Sequence, residues 1–285
     1  MQSGRNEILM TPINSTKPVP VALTIAGIDP SGGAGVLADV RTFAAFGCFP
    51  TAAVTSLTFQ NTTGVFGALH QSAASVRAQV TPILDDFTIA AAKTGMLPTR
   101  EVILEVARLF RTKNLPAPVV DPVMRATSGD DLIDDDAVDS LVHQLLPLAR
   151  LVTPNIPEAE RLTGIKITNE EEMQQAANEI RRLGAVAVLV KGGHLLGLRT
   201  GKREEAVDLL DDEGKVTLFR AELVEGGEFH GSGCTLSAAI AAGLGLGWSL
   251  EAAVMAAKDF ITEAMRRSPV LGHGARPIFA VSSKQ

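Results

Sequence analysis

Short apolar runs alternate along most of the chain with segments whose apolar residues recur at helical spacing. The first run, Val21–Ala26, is almost wholly apolar and is typical of a strand buried on both sides. The next segment, Gly33–Phe46, places Val36, Val40 and Phe43 on one side of a helix. The same patterns predict strands at 51–59, 89–94, 118–121, 151–153 and 186–190, and helices at 72–84, 100–111, 134–146, 168–183, 234–246 and 249–267. This alternation predicts an α/β fold with a central, mostly parallel sheet flanked by helices on both faces.

Three further features complete this outline. Thr168 and Glu171 form a capping-box pattern at the start of one predicted helix. Two strands, 206–210 and 216–223, are joined by the acidic segment Asp211–Gly214, whose carboxylates we expect to be solvated. Residues 1–20 mix Asn, Ser, Thr, Lys and Pro, which predicts a flexible N-terminal extension. Because the chain shows neither a Pro/Ser-rich linker nor an internal repeat, residues 21–285 are predicted to form one domain.

Composition narrows the function classes. The chain has 285 residues, of which 46% are hydrophobic and 20% charged, as in an ordinary globular protein. A formal net charge of -6 argues against a nucleic-acid or membrane-surface partner, since both attract basic proteins. Two cysteines provide no disulfide framework, and the first twenty residues lack the apolar centre of a signal peptide. We therefore expect a cytoplasmic protein without a membrane-spanning segment.

A first Gly-rich segment, AGIDPSGGAG, lies between the first strand and the first helix. Part of it, Gly33–Ala38, fits the dinucleotide-binding fingerprint, but that fingerprint requires a carboxylate at the end of the next strand. The strand at 51–59 carries none, so we reject this interpretation. The glycines indicate either a close approach of the backbone to a ligand or a purely structural turn. The chain contains no Walker-type phosphate loop.

A second Gly-rich segment, HGSGCTLS, runs into a helix of small residues. The N–H groups of Ser232, Gly233 and Cys234 would point out of the helix start and form an anion hole, as phosphoryl transfer requires. We expect the helix dipole to lower the pKa of Cys234, which would make the thiol a candidate base for a substrate hydroxyl. The alternative is that Cys234 is a small buried hydrophobic residue.

Polar residues follow several of the predicted strands. Asp121 ends one strand, Asn155 and Glu158 follow the next, and Lys191–His194 follows another. The carboxyl edge of a parallel sheet would bring these side chains together, with carboxylates for Mg²⁺ and a cation for phosphate. Taken singly, each residue is equally consistent with a helix cap or a surface charge.

In the N-terminal half of the chain, candidate substrate contacts also follow predicted strands. Gln60 both donates and accepts hydrogen bonds, as an aminopyrimidine edge requires, and Met96 offers a soft apolar wall. Both residues are also consistent with a structural role. The histidines at 70, 143 and 273 lack metal-ligand spacing.

Taken together, the motifs identify a family. From Val21 to Pro277 the chain resembles the hydroxymethylpyrimidine and phosphomethylpyrimidine kinases of thiamin biosynthesis, in the ribokinase superfamily. The resemblance is carried in order by TIAGIDPSGGAGVLADVRTF, SLTFQNTTGV, AAKTGM, VVDPVM, TSGD, TPNIPEAE, VKGGH, HGSGCTLSAAIAA and LGHG. It implies a ribokinase-like fold with a small β extension near the substrate, and successive ATP-dependent phosphorylation of the pyrimidine alcohol and its monophosphate.

The resemblance also implies roles for individual residues. Cys234 would be the base, and the amides of Gly231, Ser232, Gly233 and Cys234 would form the anion hole. The remaining roles fall into two groups: a pyrimidine pocket of Gly27, Asp39, Thr58, Gln60 and Met96, and a Mg²⁺·ATP side of Asp121, Asn155, Glu158 and Lys191. A homodimer is implied as well, since dimers are usual in this family.

Two competing functions remain open at this level. A kinase of the same fold acting on pyridoxine or a related vitamin alcohol shares almost all of these motifs, although Gln60 and Met96 favour the pyrimidine. A non-catalytic pyrimidine-binding protein is the other alternative. Such a protein has little reason to retain Cys234 in an anion hole beside Asp121 and Glu158.

Overall fold

The computed structural model describes residues 18–125, 129, 132–193, 205–224 and 227–279. Most of the predicted N-terminal extension, residues 1–17, and His194 lie outside the described residues. The strands are β1 (Val21–Ile28), β2 (Phe49–Asn61), β3 (Gly64–His70), β4 (Ile89–Thr94), β5 (Val119–Val120), β6 (Leu151–Val152), β7 (Ala187–Lys191), β8 (Glu205–Asp212), β9 (Lys215–Glu222), β10 (Phe229–His230) and β11 (Arg276–Pro277). The helices are α1 (Gly35–Ala45), α2 (Ala73–Asp86), α3 (Arg100–Thr112), α4 (Asp135–Ser140), α5 (Ile156–Thr163), α6 (Glu170–Arg182), α7 (Ser232–Gly245) and α8 (Leu250–Arg267).

Nine strands form one sheet in the order β3-β2-β1-β4-β5-β6-β7-β8-β9. The strands from β2 to β7 in this order are parallel, whereas β3, β8 and β9 are antiparallel to their neighbours. The short strands β10 and β11 pair separately and in parallel. The predicted, mostly parallel sheet is therefore confirmed.

Helices cover both faces of this sheet. Successive strand residues point to opposite faces, so each buried strand presents apolar side chains on both of them. On one face, Val120, Val152 and Val188 pack with α2–α6. On the other face, Val119 and Leu151 pack with α1, α7 and α8. Among the described helices, none is long and apolar enough to cross a bilayer.

The sequence did not predict four of the described elements, which are β3, β10, β11 and α5. Strand β3 extends β2 into a hairpin beyond the sheet edge, and most of its side chains are exposed or half-buried. Without a buried face, its sequence lacks the strict apolar alternation of a strand. Helix α5 has only eight residues, with Pro157 in its first turn, so its apolar pattern covers barely two turns.

Three local predictions are wrong in detail. Helix α6 is capped one residue later than predicted, because the Asn169 side chain accepts the Glu172 N–H. In the predicted helix 134–146 the α-helical part ends at Ser140, and the chain continues as a π turn (Leu141–Leu145) and a 3₁₀ turn (Leu146–Leu148) that contains Pro147. Asp211 is buried rather than solvated, because its carboxylate pairs with Arg181.

Candidate active site

A large cavity opens at the carboxyl ends of strands β1, β4, β5, β6 and β7, where the parallel strands meet at one edge of the sheet. Its volume is about 830 Å³, in the upper part of the range for small-molecule sites. All but one of the predicted site residues line it: Gly27, Thr58, Gln60, Met96, Asp121, Asn155, Glu158, Lys191, Gly231, Ser232, Gly233 and Cys234. The fold therefore brings together residues that are far apart in the sequence.

The exception is Asp39, which was expected in the pyrimidine pocket. Helix α1 turns its side chain inward, where it is completely buried and does not line the cavity. Its carboxylate accepts hydrogen bonds from Lys93 Nζ at 2.7 and 2.8 Å and from Thr24 Oγ1 at 2.6 Å. Burial lowers the pKa of Lys93, but the charge and hydrogen bond of Asp39, together with the charges of Cys234 and Asp121, raise it above its ordinary value. Asp39 therefore belongs to a buried ion pair behind the site wall.

The start of α7, where the sequence predicts an anion hole, lies where the two Gly-rich segments meet. Gly231 is the N-cap residue in the left-handed conformation, with φ 84°, which a residue with a side chain rarely adopts. A Cβ at Gly231 would lie 1.9 Å from the carbonyl oxygen of Gly33, so only glycine fits between the two Gly-rich segments. Among the residues that the structure describes, no side chain caps α7. The N–H groups of Ser232, Gly233 and Cys234 thus begin the helix facing the cavity.

Cys234 lies partly exposed on the cavity wall. The prediction that the helix dipole lowers its pKa is wrong. Desolvation by the protein atoms around the thiol raises its pKa to about 11, and the charges of Asp121 and Asp39 act in the same direction. Lys93 and the N–H of Gly35, which donates to the sulfur, only partly compensate. In the ligand-free site Cys234 is therefore a protonated thiol at neutral pH.

Asp121 and Lys191 form the charged centre of the cavity. Lys191 Nζ donates to Asp121 Oδ1 at 3.0 Å, and Thr153 and Ser237 donate to the same carboxylate at 3.3 Å each. A Cβ at Gly233 would lie 3.1 Å from Lys191 Nζ, which places the ammonium group directly beside the anion hole. Burial lowers the pKa of Lys191, but Asp121 and Glu158 together raise it. Lys191 is therefore a cation at neutral pH, beside the start of α7.

Asn155 and Glu158 form the capping box of α5. The Asn155 side chain accepts the Glu158 N–H at 2.9 Å, and the Glu158 carboxylate accepts the Asn155 N–H at 2.8 Å. Burial, together with the charge of Asp121, raises the pKa of Glu158 to about 7, although Lys191 opposes the shift. The two residues expected to contact nucleotide and metal thus also fix the start of a helix at the cavity wall.

The chemistry of this donor set fits a magnesium ion that is shared with a ligand. Asp121 and Glu158 are buried oxygen donors on one cavity, and their mutual repulsion is what a divalent cation would relieve. Within the described part of the chain, no group of three or more His, Cys, Asp or Glu side chains could hold a metal alone. Mg²⁺ commonly takes one or two carboxylates and completes its shell with water and phosphate oxygens.

The opposite side of the cavity is formed by strands β1 and β2 and the end of β4. Thr58 Oγ1 donates to the carbonyl oxygen of Ile28 at 2.8 Å. Gln60 is half-buried and lines the cavity. Met96 is buried, and a Cβ at Gly27 would lie 3.0 Å from its sulfur. A flat ring with polar edges fits a wall of this composition.

Asp29 and His230 are among the cavity residues that the sequence analysis did not identify. Asp29 Oδ2 and His230 Nε2 lie 2.7 Å apart, and both side chains are buried. Asp29 also accepts the N–H groups of Ser31 and Ala34, so it organises the first Gly-rich segment. The available signal was the position of Asp29 directly after strand β1, the same signal that identified Asp121.

Comparison with known proteins gives a consistent result. The family model for phosphomethylpyrimidine kinase matches residues 29–279. A hydroxymethylpyrimidine/phosphomethylpyrimidine kinase of Rhizobium meliloti (strain 1021) is 46% identical over 261 residues, covering 90% of this chain and 96% of the relative. A solved phosphomethylpyrimidine kinase from Clostridium difficile 630 has a TM-score of 0.75 at 40% identity, covering 87% of this chain and 100% of that chain. A Bacillus subtilis pyridoxal kinase, solved as an ADP complex, has a TM-score of 0.82 at 35% identity, covering 92% and 98%.

The matched region contains most of the first Gly-rich segment, the whole of the second, the strand-end carboxylates and Lys191. The likeness to the two solved kinases confirms the ribokinase-like fold that the resemblance implied. The family model covers far more than half of the chain, and the Rhizobium relative matches it at nearly full length. The chain is therefore a phosphotransferase that belongs to the phosphomethylpyrimidine kinase family.

Proposed function

We propose that this enzyme uses ATP to phosphorylate 4-amino-5-hydroxymethyl-2-methylpyrimidine, and then phosphorylates the monophosphate to the diphosphate. One observation carries the proposal: the anion hole at Ser232–Cys234 faces the same cavity as the Gln60 wall. A phosphoryl group at the hole therefore has an acceptor pocket next to it. Phosphoryl transfer depends mainly on such positioning and on stabilisation of the developing negative charge.

On the acceptor side, Gln60 pairs with the polar edge of the aminopyrimidine, and Met96 packs against the ring face. This arrangement points the hydroxymethyl group towards the start of α7. The small thiolate fraction of Cys234 then accepts the hydroxyl proton as the oxygen attacks the terminal phosphorus of ATP and ADP leaves. Lys93 and the Gly35 N–H are the groups that stabilise this thiolate before it takes up the proton.

On the phosphate side, Lys191 and the N–H groups of α7 neutralise the transferred group. Asp121 and Glu158 would hold the magnesium ion, whose contribution when bound is to neutralise charge on the phosphate oxygens. Asn155 holds Glu158 in place through the capping box. The ADP and AMP-PCP complexes of related pyridoxal kinases support the use of an adenine nucleotide.

The test is coupled ADP release with Mg·ATP and the pyrimidine alcohol, repeated with its monophosphate and with pyridoxine. Release with both pyrimidines and little with pyridoxine is the expected result. Release with pyridoxine alone would instead favour the second candidate, a vitamin B6 kinase. That candidate is supported by the TM-score of 0.82 to the Bacillus subtilis pyridoxal kinase. No release with any of the three acceptors would contradict both.

We also propose a homodimer, as the resemblance implied. The hairpin of β2 and β3 presents an apolar face in which Leu57, Phe59 and Leu69 are 40%, 54% and 56% exposed. Leu57 and Leu69 are cross-strand partners, so the face is continuous. Such a patch is typical of an interaction surface. Light scattering should give a dimer mass for the wild type and a lower mass for Phe59→Glu.

A further inference from the structure

The motif LGHG and the residues after it have no part in the proposed reaction, yet they make specific contacts on both sides of the cavity. We call residues 272–278 the C-terminal strap. The strap leaves the end of α8, crosses the turn between β2 and β3, and then forms β11 beside β10.

The first contact of the strap is with the turn of the β2–β3 hairpin. Ala275 N–H donates to the Thr62 carbonyl at 3.0 Å, and Gly274 N–H donates to Thr62 Oγ1 at 3.3 Å. The backbones approach so closely that a Cβ at Gly274 would lie 1.8 Å from the Thr62 carbonyl oxygen. Since no side chain fits there, glycine at 274 is a requirement of this contact.

The second contact is with the segment that leads into the anion hole. Arg276 N–H donates to the Glu228 carbonyl at 2.9 Å, and Ile278 N–H donates to the His230 carbonyl at 3.1 Å. The Ile278 side chain is 2% exposed and packs in the core with α7 and α8, which anchors this end. His230 directly precedes Gly231, the N-cap of α7.

The two contacts lie on opposite sides of the reaction. Thr62 is two residues beyond Gln60, on the acceptor wall, whereas His230 adjoins the anion hole. The strap therefore joins the acceptor wall to the phosphate site through four backbone hydrogen-bond donors. In-line transfer is sensitive to this separation, because a displacement of about 1 Å can cost on the order of 100-fold in rate.

We propose that the C-terminal strap is a positioning element that fixes the acceptor pocket relative to the anion hole. The inference rests on the proposed kinase function. Its prediction is specific: displacing the strap from Thr62 moves Gln60 and the bound pyrimidine, while Lys191 and the carboxylates that face the nucleotide remain in place. The Michaelis constant for the pyrimidine and the turnover number should change, and the constant for Mg·ATP should not.

The decisive variant is Gly274→Ala, and the chain supplies a matched control in Gly64→Ala. Gly64 lies in the same hairpin turn, but a Cβ there meets nothing within 4 Å. For Gly274→Ala we expect the KM for the pyrimidine to rise about tenfold or more and kcat to fall, with the KM for Mg·ATP within about twofold of wild type. Gly64→Ala should match the wild type in all three constants.

A purely structural role predicts a different pattern. It would lower the melting temperature and the amount of active enzyme, but it would leave the KM for the pyrimidine unchanged, because KM does not depend on enzyme concentration. That result, or equal changes in both Michaelis constants, would overturn the proposal. If Gly274→Ala does not fold, Thr62→Val removes only the side-chain acceptor of Gly274 N–H and should give a smaller change in the same direction. Wild-type enzyme inactive on the pyrimidine would instead contradict the proposed function itself.

Discussion

Lys93 Nζ lies 2.7 Å from a carboxylate oxygen of Asp39, and both side chains are completely buried. The pair joins strand β4 to helix α1 behind the cavity wall. A Cβ at the cavity-lining residue Gly95 would lie 3.3 Å from the same ammonium group, so the charge stands just below the site surface. The ion pair therefore stabilises the packing of α1 on β4, and its two charges also act on the pKa of Cys234.

Replacing Lys93 by Met should destabilise the protein strongly. The substitution leaves the Asp39 carboxylate buried without its partner, which costs about 3–5 kcal/mol. Urea unfolding measures the loss. The control is the double variant Lys93→Met with Asp39→Asn. It removes both charges and should recover a large part of the lost free energy of unfolding. A double variant no more stable than the single variant would show that packing of the lysine stem, rather than charge, is what matters.

Removal of the Cys234 thiol should affect turnover far more than binding. For Cys234→Ala we expect kcat to fall about 100- to 10,000-fold, because a base acts in the transition state. The dissociation constant of the pyrimidine, measured by calorimetry, should remain close to that of the wild type. Unchanged turnover would exclude Cys234 as the proton acceptor.

The pH dependence of turnover should reflect the raised pKa of Cys234. Because burial raises that pKa to about 11, the thiolate fraction grows as pH rises, and kcat should still be increasing above about pH 8. Cys234→Asp places an ionised carboxylate at the same position and should move the rising limb to lower pH. Identical profiles for the two proteins would mean that another group, not residue 234, controls the limb.

Glu158 should make the stability of the ligand-free protein depend on pH. Its pKa is raised from 4.5 to about 7, so between these values the folded protein binds a proton that the unfolded chain has released. Stability should therefore decrease as pH rises through this window, by about 1–3 kcal/mol from this group. Glu158→Gln can still accept the Asn155 N–H, as a capping box requires.

The measurement is the free energy of unfolding of both proteins at about pH 5 and about pH 8. The difference between wild type and Glu158→Gln should shift in favour of the variant at the higher pH. A constant difference would mean that the carboxylate titrates near its ordinary value. The same titration predicts that Mg²⁺ binds more tightly as pH rises, because the ion requires the carboxylate form.

Gln60→Ala should weaken the pyrimidine more than the nucleotide. Loss of the hydrogen bonds at the ring edge should raise the KM for the pyrimidine about tenfold. The KM for Mg·ATP should change little, because Lys191 and the start of α7 are unaltered. Met96→Leu, a volume-conserving change on the same wall, serves as the control and should have a smaller effect. Equal increases in both KM values would mean that Gln60 does not contact the pyrimidine.

Much of the fold was predictable because a parallel sheet has a simple sequence signature. Buried strands such as β1 and β7 are short apolar runs, and the helices between them carry one apolar face. Strand β3 was not predicted because it has little buried surface, and helix α5 was not predicted because it is too short for a periodic pattern. The cap of α6 was misplaced by one residue, since Thr168 and Asn169 are both good capping residues and only the hydrogen bonds distinguish them.

The sequence by itself determined the composition of the site. Gly-rich segments and polar residues at strand ends are local features, and parallel strands necessarily gather their carboxyl ends at one edge. Only the tertiary structure decided which of these residues face the cavity and how they ionise. Asp39 pairs with Lys93 across 54 positions of sequence instead of contacting substrate. Desolvation raises the pKa of Cys234 against the helix dipole. Burial and pairing depend on neighbours that are distant in sequence, so no local pattern contains them.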